Sequence, residues 1–104
     1  MENTQLFVIA HYFSRQGRGD KVNDALRQLA EASRLEPENI AYEYFRSPED
    51  DDRFVIVETY RCPEGLELHR QTEHFQRIGV GIISPLLERK EVKSFHINAD
   101  APCS

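Results

Sequence analysis

No stretch of the 104-residue chain approaches the ~18–20 consecutive apolar residues of a membrane span. The opening Met1-Glu-Asn-Thr has neither the basic start nor the apolar run of a signal peptide. Cysteine is scarce: Cys62 precedes a proline and Cys103 lies beside the C-terminus, which makes no spaced framework for disulfides or zinc. These absences fit a reduced, cytoplasmic setting with no membrane partner. A basic excess is missing too, since 13 Lys and Arg stand against 18 Asp and Glu for a net charge of −5, with the two signs interspersed. Binding a phosphate backbone needs a concentrated basic face, so a nucleic-acid partner is excluded from the expectation. What the chain does have is 39% hydrophobic residues in a length that suits one domain. Such a domain buries ~60–65% of its unfolded-chain surface, a marginal core that an associated second copy would help.

Leu6 to Phe13 reads as a strand apolar on both alternating faces, with Leu6, Val8, Ala10 and Tyr12 on one and Phe7, Ile9, His11 and Phe13 on the other. Gly17-Arg-Gly19 ends it. Asp20 is placed to cap a helix whose stripe is Val22, Ala25, Leu26, Leu29 and Ala30, and Pro37 stops that helix near Arg34 or Leu35. Strands are predicted over Ile40–Arg46 and Arg53–Arg61, joined by the acidic turn Ser47 to Asp52. That turn lacks the spaced oxygens and the glycine of a calcium loop. Pro63 and Glu64 start a short helix carrying Leu66 and His69, and Thr72 caps another from Glu73 with the stripe Phe75, Ile78, Ile82 and Leu86. Gly79, Gly81 and Pro85 predict a kink or break within it. A last strand over Glu91–Ile97 completes a domain over residues 1–97, leaving Asn98 to Ser104 as a tail expected to be mobile.

The order β-α-β-β-α-β predicts a ferredoxin-like α+β fold with both helices on one face of a four-stranded antiparallel sheet. Helices on one face cannot cover two apolar faces. Phe54, Ile56, Glu58 and Tyr60 point one way and Val55, Val57 and Thr59 the other, so a homodimer packed sheet against sheet is expected.

The densest polar and aromatic cluster is Glu58-Thr-Tyr60, His69 and Gln71 to Phe75, to which neighbouring strands add His11 and Tyr42. Histidine titrates near neutrality, so His69 or His74 in an apolar pocket could take a proton from a phenol. Each residue also has a structural reading. His69 and His74 serve equally as helix-start hydrogen-bonding groups, Glu58 as an ion-pair partner at the dimer seam, and Tyr42 and Tyr60 as core or interface aromatics. A metal site at His69 and His74 is disfavoured, because ligation from one helix face wants i,i+4 spacing and this pair straddles a helix junction. Cys62 and Ser84 lack the context of a nucleophile. Gly79-Val-Gly81 lies inside a helical stripe, so it reads as close helix packing and not as a phosphate loop.

The run Arg53-Phe-Val-Ile-Val-Glu58-Thr-Tyr60, followed by Leu66-Glu-Leu-His69-Arg-Gln-Thr72-Glu-His74-Phe75, resembles the E-x-W/Y…H-x-x-T-x-H-F signature of the antibiotic biosynthesis monooxygenase superfamily. The likeness extends to Glu36-Pro37, Tyr42, the Ser47-Pro48 turn and Pro85-Leu-Leu, so it spans Leu6 to Ile97. It implies a dimeric α+β barrel of ferredoxin-like subunits. Members include cofactor-independent monooxygenases of quinols and polyketide anthrones, haem-degrading enzymes and a signalling-molecule processing enzyme. The sequence departs from the pattern at Glu73, where the family often has proline, and at Glu38-Asn39, where a glycine-containing turn is usual. It also has no tryptophan, which counts against the haem-degrading branch. The resemblance implies that His69 and His74 line the pocket with Glu58, Tyr42 and Phe75 nearby. For the quinol or anthrone branch, the enzyme deprotonates a small aromatic phenol whose anion reduces O2 directly, without metal, flavin or other cofactor. In that scheme His74 is the base, His69 the second proton carrier and Glu58 the orienting carboxylate, with Tyr42, Tyr60, Phe75 and His11 against the substrate. A non-catalytic dimeric ligand-binding module and a His-dependent isomerase of the same fold stand as rival readings.

Overall fold

The computed structural model describes residues 4–98. In chain order these form β1 (Thr4–Ser14), α1 (Gly19–Ser33), β2 (Asn39–Arg46), β3 (Arg53–Tyr60), α2 (Gly65–Arg70), a π-helix (Phe75–Ile83), the short turn α3 (Ser84–Leu86) and β4 (Leu87–Asn98). The strands make one antiparallel sheet in the order β2-β3-β1-β4, the ferredoxin-like α+β arrangement. Asn98 closes β4, and the rest of the expected tail lies outside the described residues. β4 starts at Leu87 and not at Glu91, because Leu87 already has extended dihedrals (φ −95°, ψ 139°) one residue after the helical turn that contains Pro85. Among the described residues, no helix is long and apolar enough to cross a membrane.

Alternation sorts the sheet into two faces. Leu6, Val8, Ala10 and Tyr12 of β1 and Phe54, Ile56, Glu58 and Tyr60 of β3 are buried on the helix-covered face. There Val22, Ala25, Leu26, Leu29 and Ala30 of α1 and Ile78 and Ile83 of the π-helix complete the core. On the opposite face, Phe7, Ile9, His11 and Phe13 of β1 and Val55, Val57 and Thr59 of β3 are only half-buried. Phe45 and Phe95 extend that face as exposed aromatics.

Two helices differ from the sequence reading, one at its start and one in its winding. Asp20 does not cap α1, which begins at Gly19; the cap comes from the β2–β3 turn, where the Asp52 carboxylate accepts the backbone N–H groups of Gly17 and Gly19 at 3.0 and 2.9 Å. Asp20 instead pairs with Arg46 at 3.0 Å on the surface. The segment with Gly79 and Gly81 does not break but winds as a π-helix, in which the buried apolar side chains are Ile78 and Ile83, five apart, beside buried Gly79, while Ile82 is exposed. Ser84 donates its hydroxyl to the Gly79 carbonyl at 3.1 Å, an i to i−5 bond that suits this wider turn. A Cβ at Gly79 would sit 3.3 Å from the Phe75 ring, in keeping with close helix packing at Gly79-Val-Gly81.

Candidate active site

His69 lies at the centre of the site because α2 passes close over the end of β3. Gly65 permits that approach, since a Cβ there would come within 2.6 Å of the Tyr60 Cβ. The His69 ring is 2% exposed, with ring centroids of Phe75 at 5.0 Å, Tyr42 at 5.7 Å, Tyr60 at 5.9 Å and His74 at 6.2 Å. Thr72 turns the chain between the two histidines. Its hydroxyl donates to the His69 carbonyl at 2.7 Å and accepts the Phe75 N–H at 3.2 Å, the cap expected from the sequence. Both imidazoles thereby reach one carboxylate. Glu36 Oε2 lies 2.8 Å from His69 Nδ1 and 2.5 Å from His74 Nε2.

At the inner end, His69 Nε2 faces Glu58 Oε1 at 3.9 Å, beyond hydrogen-bond range. That Glu58 oxygen accepts the Tyr60 hydroxyl at 2.5 Å. The cluster thus runs Tyr60, Glu58, His69, Glu36, His74, from buried to half-exposed.

The two carboxylates are pushed in opposite directions. Burial raises the pKa of Glu36, but the hydrogen bonds and positive potential of His69 and His74 outweigh it and hold the group below the usual carboxylate range. For Glu58, burial prevails over the Tyr60 hydrogen bond and the attraction of His69 and Arg70, so its pKa rises. Burial first, and then the Glu58 charge, pushes Tyr12, Tyr42 and Tyr60 above the ordinary phenol value. The tyrosines are therefore neutral phenols and not phenolate bases, and Tyr60 is the one that donates to Glu58. His74 turns Nε2 to Glu36 and leaves Nδ1 unengaged by that carboxylate, on a side chain that is 19% exposed. His69 turns Nδ1 to Glu36 and Nε2 toward Glu58.

Two spaces adjoin this cluster. The inner one, between the sheet and α2, is bordered by Tyr42, Glu58, His69 and Phe75 and measures about 40 Å³, room for about one water. The outer cleft is about 410 Å³, bordered by Glu36, Pro37, Arg61, Leu68 and Thr72, within the ~300–1,000 Å³ range of small-molecule sites. Glu36 borders the outer space and His69 the inner one.

His69, His74, Glu58, Tyr42, Tyr60 and Phe75 come together as one cluster. His11 does not join it: it lies on the other face of the sheet, in register with Val55 and Glu91, with Nδ1 buried and without a hydrogen-bond partner among the described residues. Glu36 is the member to which the sequence reading gave no role in the site, although the family likeness extends to Glu36-Pro37. The signals available were that likeness and a carboxylate fixed beside a proline at the end of a helix. The expectation against shared ligation also changes. Spacing of five is wrong for one helix face, but the turn at Thr72 brings donor atoms of Glu36, His69 and His74 within 4.8 Å of one another.

The family model for antibiotic biosynthesis monooxygenase matches residues 5–79, a span that takes in every member of this cluster. The chain belongs to the antibiotic biosynthesis monooxygenase family. Among solved structures, one of an antibiotic biosynthesis monooxygenase is 31% identical with a TM-score of 0.77, covering 92% of this chain and 99% of that one. A conserved protein of Bacteroides thetaiotaomicron, described as a possible oxidoreductase, is 29% identical with a TM-score of 0.83 over 91% and 99% of the two chains. A Pseudomonas aeruginosa protein is 28% identical with a TM-score of 0.84 over 95% and 99%. No curated protein matches the sequence. The monooxygenase family assignment and the histidine cluster thus meet in one region of the chain.

Proposed function

We propose that the protein is a cofactor-independent monooxygenase of an aromatic phenol, quinol or anthrone, working as a homodimer. The observation that carries this reading is the Glu36–His74 pair, in which a carboxylate holds one ring nitrogen as a donor and leaves the other, Nδ1, to act as a base on a side chain that is 19% exposed. The 410 Å³ cleft is bordered by Glu36, the partner of His74, and a phenol that enters from there gives its proton to His74. The resulting anion passes an electron to O2, the two radicals combine, and the hydroperoxide loses water to leave a carbonyl. One oxygen atom enters the substrate, the other departs as water, and the substrate supplies all four electrons. His69 holds a second proton in the buried half of the cluster, and Glu36 takes the orienting role first assigned to Glu58. Tyr42, Tyr60 and Phe75 support the His69 ring, and Glu58 polarises it from the far side. Cys62 as a buried thiol accords with a reducing, cytoplasmic setting.

The test is oxygen uptake by chelator-treated protein with hydroquinones, naphthohydroquinones and anthrones, after subtraction of spontaneous autoxidation. Protein-dependent uptake that falls ~10²-fold or more in a folded His74→Ala variant is expected. Near wild-type uptake in that variant removes His74 as base. Anaerobic proton exchange into a substrate, with no oxygen consumed, would favour the isomerase reading, and tight binding without chemistry the binding module.

A further inference from the structure

We infer that Glu36, His69 and His74 form a binding site for a single divalent transition-metal ion of the Zn2+ class, in which the ion replaces the protons now shared between the imidazoles and the carboxylate. The donor set is two imidazole nitrogens and one carboxylate oxygen, brought together within 4.8 Å from three separate places in the chain: the loop after α1, the end of α2 and the start of the π-helix. Two histidines and a carboxylate are a three-ligand set that Zn2+ accepts while keeping a fourth position open. With ligand bonds of ~2.0–2.2 Å, tetrahedral donors stand roughly 3.3 Å apart. Glu36 Oε2 therefore has to part from His69 Nδ1 and His74 Nε2, now at 2.8 and 2.5 Å, by less than about 1 Å. His74, 19% exposed against 2% for His69, is the less enclosed of the two imidazoles.

Two further features suit a metal beyond the ligands themselves. To ligate through Nδ1, His69 must carry its proton on Nε2, and that nitrogen faces Glu58, whose position is fixed by the Tyr60 hydroxyl. A carboxylate behind a ligating imidazole is the usual outer partner of a metal-bound histidine. On the other side, the 410 Å³ cleft borders Glu36 and Thr72 and offers space for water or an exogenous ligand in the open position. Mg2+ and Ca2+ are poor fits, because they want six or more oxygen ligands and this site offers two nitrogens. An ion on His74 Nε2 leaves the ring's proton on Nδ1, so metal loading withdraws the nitrogen that the oxidation uses as its base.

The experiment is a titration of chelator-treated protein with ZnCl2, followed by calorimetry and by competition with a chromophoric chelator, and with Co2+ followed by visible absorption. It uses no substrate, so its outcome is independent of the oxygenase reading. One Zn2+ per chain is expected, with affinity falling at least ~10-fold in Glu36→Gln and in His74→Ala, unchanged in His96→Ala, and with no comparable uptake of Mg2+. His74 and Glu36 are preferred to the buried His69 as targets, and circular dichroism verifies that each variant is folded. Absence of stoichiometric Zn2+ binding, or binding that survives in folded Glu36→Gln and His74→Ala, overturns the site.

Discussion

Glu36 and Glu58 both face His69, yet their titrations act on stability with opposite sign. Folded Glu36 gives up its proton more readily than the unfolded chain does, so its contribution is full above the unfolded carboxylate value near ~4.3 and is lost as the pH falls through its lower folded value. Folded Glu58 holds its proton more tightly, so its contribution is full below ~4.3 and is lost as the pH rises through its raised value. Thermal melts from about pH 7 down to about pH 3 separate the two. Glu36→Gln should lower Tm at neutral pH and flatten the acid limb. Glu58→Gln, which keeps an acceptor for the Tyr60 hydroxyl, should hold or raise Tm at neutral pH; a fall of several degrees would contradict a carboxylate under desolvation. At this scale the sequence showed which residue types matter but not how they are joined. The contact of Glu36 with His69 spans 33 residues, and the separation of His11 from the cluster depends on which face of β1 it occupies. Neither can be read from local spacing.

At the scale of elements, α1 shows why a local capping rule can name the right residue type and the wrong residue. Asp20 stands where a local N-cap belongs, but the β2–β3 turn passes so close to Gly19 that the Asp52 side chain reaches the free N–H groups first. Replacing Asp52 with Ala removes the acceptor of two backbone donors and should cost ~0.5–2 kcal/mol, a Tm loss of roughly 4–8 °C per kcal/mol for a domain of this size. Asp20→Ala removes only an exposed ion pair and should change Tm little. Calorimetric melts of the two variants decide it, and equal losses would sink the assignment of the cap. The π-helix carries a similar lesson. The stripe Phe75, Ile78, Ile82, Leu86 assumes near-α winding, whereas i to i+5 bonding moves the buried position from Ile82 to Ile83. Strand order and helix count survive such shifts, because alternation and Pro and Gly punctuation fix where elements exist more firmly than how they wind.

The molecule as a whole is thin, with principal extents of 47 × 27 × 18 Å and a radius of gyration of 14.0 Å, against roughly 13 Å for a compact chain of this length. That shape follows from a single helical layer on a single sheet, with the second sheet face bare. Across that face run the register rows Phe45–Val55–His11 and Val57–Ile9–Lys93, with Phe7 beside Phe95. Covering it with an identical face removes the apolar surface from water at no new conformational cost to either core, which is why a two-fold, sheet-to-sheet dimer is the expected assembly. Val57 lies on a central strand of this face and is distant from the helix-side core, so Val57→Lys places a charge in the seam and leaves the fold intact. Sedimentation of the wild-type protein at micromolar concentration should give twice the 12.1 kDa chain mass, and Val57→Lys should give the chain mass with an unchanged far-ultraviolet spectrum. A wild-type monomer would mean that the bare face serves some other partner. If the dimer forms and the variant is monomeric, oxygen uptake by the variant then tells whether the His74 site is complete within one chain, since all five members of the cluster from Tyr60 to His74 come from the same chain.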